Sequence, residues 1–95
     1  MNIRKTELEH LEFNAKENTV FLLVADYQKT RKSSTLFSLY FFIKANSYDR
    51  EQAIKLIQNI PSHILSKLIE LAEKLYQDDF ADFLRHHSSN NIMDI

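Results

Sequence analysis

The chain has 95 residues, 12 Lys and Arg against 13 Asp and Glu, a net charge of −1, and neither cysteine nor glycine. A chain of this length holds one core. The missing residue types exclude disulfides, thiolate metal sites, thiol nucleophiles and Gly-rich phosphate loops, and the balanced charge excludes a strong global field for nucleic acid or membrane.

Met1 to Arg4 lacks the apolar run that opens a secretory signal. The longest apolar stretches, Val20 to Ala25 and Leu39 to Ile43, fall far short of the roughly 18 residues a membrane span requires. A cytoplasmic protein with no membrane partner is expected.

Thr6-Glu7-Leu8-Glu9 fits a capping box, in which a hydroxyl and a carboxylate satisfy early helix amides. Leu8, Leu11 and Ala15 continue as a helical stripe, and Val20, Phe21, Leu23, Val24 and Tyr27 fit a second helix. Short apolar runs also allow a β-hairpin of 8–13 with 19–27, turning across Asn14 to Asn18. Leu36, Phe37, Tyr40, Phe41 and Ile43 fit a further helix. Ser47 is placed to cap the next one, whose first turn holds Asp49 and Glu51 and whose inner face is Ala53, Ile54, Ile57 and Ile60.

The single proline, Pro61, marks a helix stop and a helix start. Beyond it Ile64, Leu65, Leu68, Leu71, Ala72, Leu75 and Tyr76 recur at three- and four-residue steps, opposite a polar face. Asp78-Asp79 opens a last short helix with Phe80, Phe83 and Leu84 inward and Arg85, His86 and His87 at its end. The expected fold is all-α: an irregular bundle of about five or six short helices, with one helical domain over 1–87 and a flexible tail over 88–95.

A 28-residue shift lays Ser34-Thr35-Leu36-Phe37-Ser38 on Ser62-His63-Ile64-Leu65-Ser66, Tyr48 on Tyr76, Ala53 on Ala81 and Leu56 on Leu84. Such a repeat suggests stacked helical hairpins. Over Ser34 to His87 these hairpins resemble tetratricopeptide-type helical pairs in architecture. The period is shorter, and Phe or Leu stands where that family places a small residue.

Chemistry-bearing constellations are few. Glu7 and His10 have the spacing of a di-iron bundle ligand pair, but no second copy exists. Adjacent His86 and His87 diverge around a helix and chelate one ion poorly, even with Asp82 nearby. No serine sits in an activated context, and Asp78, Asp79 and Asp82 lie on a short charged helix without walls. No catalytic, metal or cofactor role is expected, and the chain is read as not an enzyme.

Two binding features remain. Lys29, Arg31 and Lys32 form a basic loop able to contact phosphate, weakly without a surrounding field. The run Leu36-Phe37-Ser38-Leu39-Tyr40-Phe41-Phe42-Ile43 is apolar all round, more than a small domain can cover. Phe37, Tyr40, Phe41 and Phe42 are therefore the expected partner-binding residues. Phe42 lies off the main stripe, and the helix of 64–76 is expected to line a groove beside it. The function expected is a protein-interaction module (adaptor, chaperone-like or inhibitor) that binds another protein or a second copy of itself. The alternative is a small regulator touching nucleic acid through the basic loop.

Overall fold

The computed structural model describes residues 5–88, with side chains from Glu7 onward. The expected Thr6 cap and the tail beyond Ser88 lie outside what is described. Five helices follow one another: α1 (Lys5–Thr30), α2 (Ser33–Ala45), α3 (Arg50–Ile57), α4 (Ser62–Lys74) and α5 (Asp78–His86). No strand occurs among the described residues, so the all-α reading holds and the hairpin of 8–13 with 19–27 does not form.

The first correction is α1, which runs unbroken for 26 residues where two helices were expected. Between Asn14 and Thr19 nothing stops a helix, since there is neither Pro nor Gly. Asn14 and Asn18 face outward, and the Thr19 hydroxyl donates to the Ala15 carbonyl at 3.0 Å. The inner face of α1 is Val20, Val24 and Tyr27, with Phe13 and Leu23 packed beside them.

Helix ends are closed without glycine. Arg31 takes φ 57° and its amide donates to the Tyr27 carbonyl at 2.8 Å, ending α1 in a left-handed cap. Tyr76 takes φ 58°, with amide bonds from Tyr76 to Glu73 and from Gln77 to Ala72 closing α4 as a Schellman motif. Asp49, not Ser47, caps α3: its carboxylate accepts from the Gln52 amide at 3.2 Å. Ser47 instead closes α2, donating to the Lys44 carbonyl at 2.6 Å. Pro61 precedes α4 as expected, and its carbonyl accepts from both Ile64 and Leu65.

One core joins all five helices. Leu39, Tyr40 and Ile43 from α2 meet Leu56 and Ile57 from α3, Ile64, Leu65, Leu68, Leu71 and Ala72 from α4, and Phe80, Ala81 and Leu84 from α5. Leu75 and Tyr76, expected inward, are exposed because α4 has ended and the chain is turning. The 28-residue correspondence survives in where helices begin, α3 at Arg50 and α5 at Asp78, and in burial: Ala53 and Ala81, and Leu56 and Leu84, are core, while Tyr48 and Tyr76 are exposed. Packing does not repeat. α4 and α5 form the closest pair, whereas α2 lies chiefly along α1 and meets α3 lightly. The result is an irregular bundle rather than stacked hairpins.

Candidate protein-binding surface on α2

The helix α2 contacts α1, α3 and α4. Together with α5, whose Phe80 meets Tyr40, these neighbours hold a broad arc of it, not a single stripe. The buried arc is Thr35, Leu39, Tyr40 and Ile43, flanked by the half-buried Leu36 and Phe42. Thr35 is fixed by its hydroxyl, which donates to the Asp26 carboxylate of α1 at 2.7 Å. What remains outside is Phe37, 42% exposed, and Phe41, 53% exposed, one turn apart.

These two rings stack, with centroids 6.4 Å apart and planes inclined by 16°. Phe41 meets the buried Tyr40 edge-on at 5.1 Å, and Tyr40 meets Phe80 of α5 edge-on at 5.4 Å. Beyond Phe80 the contacts continue to Phe83 at 6.2 Å and to His87 at 4.9 Å. A continuous aromatic chain therefore runs from the open face of α2 through the core to the end of α5. Each edge-on or offset pair contributes about 0.5–1.5 kcal/mol beyond area burial. The outer rings are thus held in place by the core without being covered by it.

Cations lie over the inner part of this chain. Lys44 Nζ sits 5.4 Å from the Phe80 centroid, and the Arg50 guanidinium 5.0 Å from that of Phe83. An Arg50 nitrogen also lies 3.4 Å from His87 Nε2. The His87 pKa is lowered, first by desolvation and then by the neighbouring His86 and Arg50 charges. Arg50 can donate to His87 only while the imidazole is neutral, which agrees with that direction.

The residues expected to bind a partner therefore separate. Phe37 and Phe41 share the open face. Tyr40, expected there, is 1% exposed and belongs to the core. Phe42, expected to be least needed inside, packs against the core because α1 lies on that side of α2. Of the 64–76 residues expected to line a groove beside α2, Ile64, Leu65, Leu68, Leu71 and Ala72 are buried in the core. Lys29, Arg31 and Lys32 are all exposed, and they lead into α2. Asp26, bonded to Thr35, puts a carboxylate beside the same helix start.

Three exposed aromatics were missed, the first being Phe21, which was read into the apolar stripe of Val20 to Tyr27 and is 65% exposed. Tyr48 follows α2 and Tyr76 follows α4, both pointing outward. Their 28-residue spacing was visible in the sequence, but helical periodicity assigned Tyr76 to an inner face. No sequence signal marked this: Tyr76 takes the left-handed closing position that glycine usually fills. Among the described residues no three His, Cys, Asp or Glu side chains gather as a metal ion would need, and no helix is long and apolar enough to cross a membrane. No protein-family model, curated protein or solved structure matches this chain.

Proposed function

We propose that this chain is a protein-interaction module, acting as an adaptor, chaperone-like or inhibitor protein, that grips its partner with the outer face of α2. The observation that carries the proposal is the stacked Phe37–Phe41 pair, anchored from below by Tyr40 yet left open above. Covering what remains exposed of each ring contributes about 1 kcal/mol, and aromatic anchors of this kind dominate interface energies. Lys32 lies at the start of α2 and Lys44 one turn beyond Phe41, its ammonium over the Phe80 ring, so cations flank the apolar pair along the helix. The matching partner is an apolar segment flanked by acidic residues, guided by its charge and held by its apolar anchors.

This reading assigns no catalysis, metal or cofactor to the chain, and places it in the cytoplasm. The basic loop takes the role of rim rather than of a nucleic-acid site, because three charges without a surrounding basic field hold phosphate only weakly. The test is quantitative capture from native lysate by the wild-type protein and by Phe41→Ala, compared band for band by mass spectrometry. The proposal expects a specific protein that Phe41→Ala loses and that raised salt weakens. A captured set identical for both proteins, or one consisting of nucleic acid that neutralising Lys29, Arg31 and Lys32 abolishes, contradicts it.

A further inference from the structure

The outward face of α1 carries Leu8, Leu11, Ala15, Leu22 and Ala25, with Asn18 in the middle, and every one of them is exposed. Their steps alternate between three and four residues, the heptad spacing of a helix-to-helix seam. Half a turn around the helix lies the stripe that packs on the bundle: Phe13, Val20 and Tyr27. α1 is therefore apolar on two opposite faces and has a neighbour on only one. Its first turns, residues 7–12, are all exposed, and none of them belongs to the core. An unsupported helical end is marginal in water.

We infer that α1 pairs antiparallel with α1 of a second copy of this chain, about a two-fold axis near the middle of the stripe. In that register Leu8 lies against Ala25 of the second copy, Leu11 against Leu22, and Ala15 against Asn18. Large side chains meet small ones at the ends, and the two Asn18 amides sit on either side of the axis, where a polar residue sets register. The seam is about 26 Å long. Its lone half meets an anchored half: residues 8–16 of each copy lie on residues 17–25 of the other, which the bundle holds in place. Both bundles then fall on the outside of the pair, clear of each other.

Charge and size select the direction. A parallel pair sets Glu7 against Glu12 across the seam, Lys29 against Lys29 and Ala15 against Ala15, combining like charges with a void. The antiparallel pair separates the glutamates and sets Ala15 against Asn18 in place of a second alanine. This face is distinct from the Phe37–Phe41 pair, so the two readings stand or fall separately.

Sedimentation equilibrium of the full chain across the micromolar range tests the pairing, with Leu11→Glu and Leu22→Glu as variants. Both positions are exposed, so circular dichroism and a thermal melt should show each variant folded. The wild type should approach twice the 11.3 kDa of one chain. Each variant should raise the dimer Kd by about tenfold or more, while Phe41→Ala leaves it unchanged. A wild-type protein that stays monomeric throughout, or folded variants that dimerise as well as the wild type, would overturn the pairing. Direction is read by disulfide trapping, since the chain has no cysteine of its own. Mixed Leu8→Cys and Ala25→Cys proteins should cross-link to each other faster than to themselves, and a preference for self-linking would overturn the antiparallel arrangement.

Discussion

Tyr40 shows how a single atom can work against the rest of its side chain. Its ring joins the aromatic chain between Phe41 and Phe80, but its hydroxyl is buried without a hydrogen-bond partner. The same burial raises its pKa. An unsatisfied buried polar group costs about 1–3 kcal/mol. Tyr40→Phe keeps the ring contacts and removes the orphan, so denaturant unfolding should show a gain of about 1 kcal/mol. Tyr76 is the second strained residue. Nearly the whole side chain is in solvent, 89% exposed, while its backbone holds φ 58°. Relieving the left-handed position returns about 1–2 kcal/mol, and the extra unfolded-state freedom of glycine takes back about 0.4–1 kcal/mol. Tyr76→Gly should therefore stabilise by about 0.5 kcal/mol, measured as a small rise in denaturant midpoint. A clear loss would mean that the exposed ring makes contacts within the fold.

At the scale of elements, the helices that were readable in advance are those with one apolar stripe. In α4 the steps Ile64, Leu65, Leu68, Leu71 and Ala72 define one inner face, and all are buried. Short α5 behaves nearly alike: Phe80 and Leu84 are inward as expected, Phe83 is half-buried against the core, and Ala81 is buried as well. Two elements resisted. The outer leucines of α1 and its inner stripe cancel each other's periodicity, which made a continuous helix look like two. In α2 nearly every position is apolar, so its sequence contains no phase; contacts with α1, α3 and α4 choose which residues turn inward. That is why Phe42, expected on the open face with Phe41, packs against the core while Phe41 stays open. The aromatic chain to α5 was legible only as composition, because it depends on helices distant in sequence meeting at Tyr40 and Phe80.

The end of α5 has its own pH dependence. His87 has a lowered pKa in the folded protein, so as pH falls the unfolded chain takes up the proton first. Its contribution is complete above the ordinary histidine value of about 6.5 and is lost as pH drops through that value toward the folded one. The Arg50 contact to His87 Nε2 should be lost in the same interval. Thermal melts at neutral and mildly acidic pH should show a smaller acid-induced drop for His87→Gln than for the wild type. Equal drops would place the sensitivity elsewhere.

At the scale of the whole molecule, stability is a narrow balance, typically about 5–15 kcal/mol for a domain. Few ion pairs contribute to it. Arg85 bridges Glu73 and Asp82 between α4 and α5, but all three are well exposed and such pairs contribute about 0–1 kcal/mol each. Polar ties from Lys16 to Gln52 at 3.1 Å and from Asn59 to Glu17 at 3.3 Å fasten α1 to the α3 side of the bundle. The apolar core supplies most of the rest, and it leaves the outer rings of α2 uncovered.

The division of that aromatic run into core and open face is the claim on which the functional reading depends. Thermal and denaturant unfolding of Phe41→Ala beside Phe42→Ala tests it most directly. The half-buried Phe42, packed against the core, should cost about 2–4 kcal/mol when truncated. The open Phe41 should cost less than about 1 kcal/mol, the share owed to its edge contact with Tyr40. If Phe41→Ala destabilises as strongly as Phe42→Ala, Phe41 is ordinary core and the binding face proposed for α2 does not exist.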